Sequence, residues 1–408
     1  TAPDSATVIT LTLTVTDSTG LVSAPDEVVV RVSDLIITTL EDHDDGGCTL
    51  ADCTLREAIT GTNSLAGVQT VTFATGLTGT LVISSNLGAL PAIADDLFLV
   101  GPGRDVIAVS GDDAVRVLEI ASGVVSISGL TLTSGNAYAD SNGGGGLFVA
   151  LGAKVTGDDL AITANVSKGN GGGIHNNGTL TITNSLIDQN SVGSLSAESD
   201  PKGGGIANDG TIRVSQTQIV SNSVPPGNFD TADGGGLYNE DDAIAELDNV
   251  SVYLNSAVTA GGIRNGFFGG TAVLTLTNSA VFSNSVASVG LSTGNDTAGS
   301  GGGIINAGEL TIVNSTISGN QANKHGGGLL MFSGSVANLN NVSIANNIAD
   351  NNNDIDNGSG FFLNELGDGG GIFLNSGSTV SIQNSLIADN LDGTDAVGET
   401  PDCRSEIG

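Results

Sequence analysis

Paired carboxylates are the residues of this chain best suited by type to do chemistry. Asp112 and Asp113, Asp158 and Asp159, and Asp241 and Asp242 stand side by side, with Arg116 and Arg264 as cations that could accompany them. Cleaving a glycosidic bond by acid–base chemistry needs two such groups about 5–9 Å apart across a groove. Adjacency in the chain does not supply that geometry, and no surrounding pattern marks any pair as catalytic. Aromatic residues make up 3% of the chain and tryptophan is absent, so platforms for gripping sugar rings are scarce. We assign no catalytic residue.

A cation site is the next candidate. Asp350, Asn352, Asp354 and Asp356 place oxygen ligands at alternate positions, the arrangement short calcium loops use. The segment departs from an EF-hand, with Ile355 where a glycine belongs and Phe361 where a bidentate glutamate is needed. Calcium is the only cofactor considered, and the run Glu41-Asp-His-Asp-Asp45 is a second acidic candidate. Phe267-Phe268 and Phe361-Phe362 fall in loop-like sequence although the chain has only 11 Phe. They serve either as buried loop anchors or as contacts for another subunit.

The charge balance restricts partners further. With 11 Lys and Arg against 44 Asp and Glu, the formal net charge of -33 repels a phosphate backbone. Nucleic acid is excluded as a partner. No apolar run approaches the roughly 18–20 residues that cross a bilayer. No basic-then-apolar leader stands at Thr1, so we expect the numbering to begin after any signal peptide or inside a larger polypeptide.

The elements that must carry these residues repeat. From Asn142 onward a unit recurs: a glycine cluster with an aliphatic residue, a strand, an Asn-Ser or similar pair, an aliphatic residue and a second Asn. Glycine clusters precede Leu147, Ile174, Ile206, Leu237, Ile263, Ile304, Leu329 and Ile372, at intervals as short as about 25–27 residues, the signature of a solenoid. Runs such as Thr179-Leu-Thr-Ile-Thr183 alternate as half-buried strands do. When turns stack at about 4.8 Å, equivalent asparagines lie above one another and can pass amide hydrogen bonds along the stack. Asn165, Asn190, Asn222, Asn255, Asn284, Asn320, Asn347 and Asn390 are expected to form that structural ladder. Surplus length falls mostly between the second Asn and the next glycine cluster, at 191–202, 223–233, 285–300 and 348–368. In a solenoid such a row of loops is commonly an interaction face.

The fold expected is all-β: a right-handed parallel β-helix with a short N-terminal capping helix and an N-terminal β-hairpin. Residues 1–34 read as two alternating strands around Asp17-Ser-Thr-Gly20, either a remnant of an Ig-like sandwich or a hairpin that pairs with its own solenoid or with a neighbouring subunit. Residues 35–67 form a cap whose helix signal is Asp52-Cys-Thr-Leu-Arg-Glu-Ala-Ile59. Residues 68–408 form the solenoid.

Cys48-Thr-Leu-Ala-Asp-Cys53-Thr-Leu-Arg-Glu-Ala-Ile59 resembles the signature of secreted bacterial β-helix proteins marked by a Cys-Ser-Leu-Arg-Glu-Ala motif, with Thr54 in place of serine. Val71-Thr-Phe73, Leu90-Pro-Ala-Ile93, Val100-Gly-Pro-Gly103 and Ile127-Ser-Gly-Leu-Thr-Leu132 follow in the order that family shows. The repeats are also similar to those of polymorphic outer-membrane adhesins, and 1–34 is similar to the last strands of polycystic-kidney-disease-type Ig domains. The resemblance implies a pectate-lyase-like β-helix, extracellular or on the bacterial surface, in a family mostly without assigned activity. Cys48 and Cys53 are close enough in sequence to bridge, which leaves Cys403 over. His43 is the only imidazole near them and no second cysteine pair exists, so zinc is not expected.

The polygalacturonase-like Asn-Thr-Asp, Gly-His-Gly and Arg-Ile-Lys patterns are missing. The expectation is therefore a non-enzymatic structural or adhesive protein, either a display scaffold or a self-assembling filament subunit. Its partners would be other copies of itself or cell-surface and matrix components. A polysaccharide lyase or glycoside hydrolase of β-helix type, and a calcium-dependent surface-layer or adhesin component, are the alternatives.

Overall fold

The structure is a computed structural model and describes residues 6–16, 18–24, 26–65, 67–139, 142–193, 201–225, 232–267, 269–286, 298–350, 369–393 and 402–405. It is a right-handed parallel β-helix. Among the described residues the strands gather into a 22-stranded sheet that takes in two faces of the coil, a 10-stranded sheet on a third face, and three short ladders.

One turn shows how the sequence makes the coil. Ile174–Asn176 belongs to the 10-stranded sheet; Thr179–Thr183 and Leu186–Asp188 follow in the large sheet, and Ser191–Val192 closes the turn. Thr179–Thr183 alternates half-buried Thr with buried Leu180 and Ile182, the period-2 pattern of a strand with one face inside. Its partners are parallel on both sides, Lys154 to Asp158 and Thr211 to Ser215. Register then puts like on like: Leu180, Ile212, Ala245, Leu274, Leu310 and Ala337 form one buried column. A one-residue slip would turn every such column outward, so the core itself fixes the register.

The bends explain the Asn-Ser pairs. The first Asn takes the left-handed conformation, as at Asn184 (φ 49°), Asn278 (52°), Asn314 (50°) and Asn384 (50°), which asparagine tolerates better than most residues. The following hydroxyl bonds its neighbour turn: Ser185 Oγ accepts from the N–H of Leu160 and donates to Thr183 O.

The second Asn builds the ladder. Nδ2 of Asn165 donates to Oδ1 of Asn190 at 2.9 Å, and the same bond recurs through Asn222, Asn255, Asn284, Asn320, Asn347 and Asn390 at 2.9–3.0 Å. Each Oδ1 also accepts the backbone N–H of the previous asparagine, as Asn190 does from Asn165. Each Nδ2 also reaches a strand carbonyl, as Asn222 does Ile187 O at 2.9 Å. The ladder closes on Asp402, whose Oδ1 accepts both the N–H and Nδ2 of Asn390.

Glycine clusters are the other half of the same corner. A Cβ on Gly173 would lie 2.8 Å from Asn190 Cγ, and one on Gly205 2.9 Å from Asn222 Cγ. Glycine is required there because the ladder amide occupies the space a side chain would need.

At the N-terminal end β1 (Ala6–Leu13) pairs antiparallel with β2 (Asp26–Ile37). The last four residues of β2, Asp34 to Ile37, pair in parallel with β3 (Gln69–Phe73). The hairpin strand thus runs unbroken into the first rung, and position 34 falls inside it.

Two substitutions at one bend test this account. Asn255 is fully buried; Asn255→Ala leaves Asn222 N–H and Nδ2 without their acceptor and Ile219 O without its donor. We expect a loss of about 3 kcal/mol or more in urea unfolding, with hydrogen exchange rising first in the adjoining turns. Leu254, next to it, is 57% exposed with φ 55°. Leu254→Asn is expected to gain about 0.5–1 kcal/mol by relieving the left-handed strain.

Candidate functional site

The carboxylate pairs are corner residues. Asp112 and Asp113 both adopt φ 54°, and Asp113 N–H donates to Ser134 O. In the second pair Asp159 takes φ 50° and faces Arg104 at 3.5 Å, while Asp158 accepts the Thr183 hydroxyl at 2.6 Å. In the third, Asp242 takes φ 64° and accepts the Thr271 hydroxyl, while Asp241 Oδ1 accepts Phe267 N–H at 2.9 Å. Asp112, Asp113, Asp159 and Asp242 take the left-handed conformation that aspartate tolerates at tight bends.

Of the calcium candidates, Asp350 is buried at 3% exposure with φ 47°, and its N–H donates to Lys324 O. Asn352, Asp354 and Asp356 lie outside the described residues, as do Phe268, Phe361 and Phe362. Phe267 is described and 40% exposed. Cys403 is exposed and unbonded in the final strand, Cys403–Ser405.

The motif Cys53-Thr-Leu-Arg-Glu-Ala58 builds a cap. Cys48 and Cys53 are bonded. Thr54 precedes the helix α1 (Leu55–Thr62), its hydroxyl accepting Glu57 N–H at 3.1 Å while Glu57 Oε2 accepts Thr54 N–H at 3.0 Å. This reciprocal capping satisfies two orphan donors of the first turn. Leu55, Ala58 and Ile59 enter the core with Leu35 and Ile37. Arg56 forms a bidentate pair with Asp42 at 2.9 and 2.7 Å and donates to Ala89 O and Gly88 O. Asp42 in turn accepts Ser84 N–H at 2.7 Å, so one buried ion pair ties the cap to the segment that follows strand Gly79–Val82.

His43, Asp45 and Glu57 bring ligand atoms within 4.8 Å of one another. The Glu57 carboxylate already accepts N–H bonds from Thr54, Asp45 and Gly47. Burial works to raise its pKa, but the donors of Thr54 and Asp45 outweigh burial and hold it below the usual carboxylate value. Asp45 moves the other way, raised first by its side-chain hydrogen bond to Glu57 and then by burial. Each carboxyl thus acts on the other. Glu57 is the ionised partner and organises the loop.

What the sequence reading missed is the outer face of the 10-stranded sheet. Its strands are three residues long and their middle side chains point away from the core; Phe148, His175, Ala207, Tyr238, Arg264, Ile305, Leu330 and Phe373 fall in one register column. All are 5% exposed or less. Bases collect on this row: Arg116 lies 5.1 Å from the Phe148 ring centroid, Lys202 4.7 Å from that of Tyr238, and His325 stacks on Phe373. His175 Nε2 sits 3.0 Å from Asp209 Oδ2, and Lys202 Nζ 2.6 Å from Glu240 Oε2. Beside the row, Arg116 and Glu119, paired at 2.6 Å, help to line a cleft of about 380 Å³ with Leu90 and Asn136. Also missed is a second ladder at the edge of these strands, Asn176 to Asn208, Asn239, Asn265 and Asn306, with bonds of 2.7–2.8 Å. The Gly-Gly-Ile-x-Asn and Gly-Gly-Leu-x-Asn repeats were the available signal: Asn is the ladder and x the outer row.

No helix among the described residues is long and apolar enough to cross a membrane. No family model matches the chain, and no curated protein matches it. Among solved structures the chain is similar to pectate lyase Pel9A, at a TM-score of 0.35 and 16% identity over 91% of this chain and 81% of that one. A likeness that slight does not bear on activity.

The Glu57 linkage has a definite sign. A depressed carboxyl contributes stability above its unfolded pKa that is lost as pH falls through the folded value, whereas the raised Asp45 favours the folded state on protonation. The melting-temperature gap between the wild type and Glu57→Gln should be constant near neutrality and shrink below about pH 4. The difference isolates this site from the relief of charge repulsion that acid brings to the whole molecule; a gap unchanged down to pH 3 would refute the assignment.

Proposed function

We propose that the protein is a non-enzymatic extracellular display scaffold of bacterial type, whose coil holds a row of variable segments out to a partner on a cell surface or in a matrix. The observation that carries this reading is where the extra length leaves the coil. Asn170, Lys202, Asp233 and Thr259 bridge in parallel from turn to turn, as do Ser191, Ser223 and Ser256, and further on Ser285, Gln321 and Ile348. Residues that flank unlike lengths of chain therefore occupy fixed rungs. Only Ala257 and Val258 separate the bridged Ser256 and Thr259, whereas ten residues separate the bridged Ser191 and Lys202. A scaffold that tolerates such variation at one corner, while both asparagine ladders and the core columns stay in register, suits presentation. The Cys48–Cys53 bond agrees with an oxidising compartment.

Two measurements test the reading. Replacing 351–368 with a four-residue Gly-Ser linker should leave the melting temperature within about 3 °C while reducing adhesion of protein-coated beads to immobilised mucin and plant cell-wall polysaccharide. Equal adhesion by both forms would remove the loops from the account. Incubation with polygalacturonate and calcium should release no unsaturated product absorbing in the ultraviolet; steady release would overturn the non-enzymatic reading.

A further inference from the structure

Two neighbours on the outer row carry buried hydrogen-bonding groups that no described residue satisfies. Tyr238 is 0% and Arg264 1% exposed, and among the described residues neither Tyr238 Oη nor Arg264 Nη1 has a hydrogen-bond partner. The two residues face each other across one parallel rung, so their backbones stand about 4.8 Å apart. Their surroundings differ from those of the other bases on this face. Arg116 pairs with Glu119, His175 with Asp209 and Lys202 with Glu240. For Arg264, Nε donates to Gly266 O at 2.8 Å, and the guanidinium lies 4.6 Å from the Phe332 ring centroid and 5.9 Å from that of Phe267. Ring faces favour a cation but do not replace a counter-ion. A guanidinium stays charged at any ordinary pH, and burying it without a directly paired anion is strongly unfavourable. Burial raises the Tyr238 pKa, and Asp233, Glu240 and Asp241 lie close enough to raise it further, but among the described residues none of the three forms an ion pair with Arg264. An unused phenol donor alongside compounds the cost.

We propose that Arg264 and Tyr238 bind the carboxylate of a small organic acid, with Arg264 Nη1 and the Tyr238 hydroxyl as donors and Phe332 and Phe267 walling its apolar part. The aromatic pair favours a carboxylate on an apolar body over a bare inorganic anion, which would find no hydrogen bonds on that side. Ile305 and Leu330 continue the row beyond Arg264 as part of an apolar cluster that includes Phe332. Phe267, 40% exposed, is the outer wall, so the guanidinium is one side chain beneath the surface. The site lies on the coil and not in the variable segments, so it stands or falls independently of the display reading.

The test is calorimetric titration of the full chain with sodium benzoate, sodium galacturonate and sodium sulfate. We expect saturable benzoate binding, weakened at least tenfold in both Tyr238→Phe and Arg264→Met. Tyr238→Phe removes only an unsatisfied hydroxyl, so it should melt at or above the wild-type temperature, and weaker binding by that variant cannot be ascribed to unfolding. Galacturonate binding with the same dependence on both residues would support the site and extend it to sugar acids. Sulfate binding as tightly as benzoate would overturn the carboxylate assignment. Absence of saturable binding by both acids, or affinities unchanged in both variants, would overturn the site.

Discussion

Everything in this molecule depends on stacking successive turns about 4.8 Å apart in exact parallel register. At that spacing each side chain's nearest neighbour is its own counterpart one turn away, so any residue that repeats must be compatible with itself. Asparagine meets that condition because it carries both an amide donor and an amide acceptor. Leucine and isoleucine meet it by packing, as in the column from Leu180 to Ala337. A carboxylate does not, since it only accepts when ionised; Asp402, which accepts from Asn390, stands in register with Gly371 and not with the asparagines. The glycines below the ladder follow from the same constraint, because the space beside each amide is already full.

The self-compatible residues were the legible ones. The β-helix and the asparagine ladder could be read because the same residue types return at each turn, and the chain repeats them often enough to separate pattern from accident. The second ladder uses the same chemistry but was hidden inside Ile-His-Asn, Ile-Ala-Asn, Leu-Tyr-Asn and Ile-Arg-Asn, where attention fell on the glycine cluster before it. The outer row could not be read at all by periodicity: Phe, His, Ala, Tyr, Arg, Ile and Leu share no property. The frequency of aspartate pairs has a physical reason. Aspartate is favoured at left-handed bends, so a coil with bends at every turn scatters aspartates that mimic catalytic pairs.

The most specific motif in the sequence is also spent on structure. In Cys53-Thr-Leu-Arg-Glu-Ala58, Thr54 and Glu57 cap the helix, Leu55 and Ala58 enter the core, Arg56 clamps Asp42, and Cys53 is bonded to Cys48. The ion pair between Arg56 and Asp42 is almost fully buried, with side-chain exposures of 7% and 1%. Such a pair adds little net stability but makes loss of either partner costly. It joins the cap to the carbonyls of Gly88 and Ala89, which fixes where the first turns start. A motif with its side chains so committed fixes where the coil begins.

The positions where the repeat is broken are the ones that stacking leaves free. A position free to hold Phe, His, Tyr or Arg in successive turns is not needed for stacking, since Ala207 occupies it without disturbing the register. Such positions can vary without loss of the fold, and burial there raises the energetic stakes of any charge they carry. In a chain of net charge -33, bases held against one outer column oppose the field of the rest of the molecule and are mostly matched by single carboxylates. Among the described residues Arg264 has aromatic rings where the other bases of the row have paired carboxylates. A buried cation so placed would discriminate among small anions by what each brings to the rings as well as to the guanidinium.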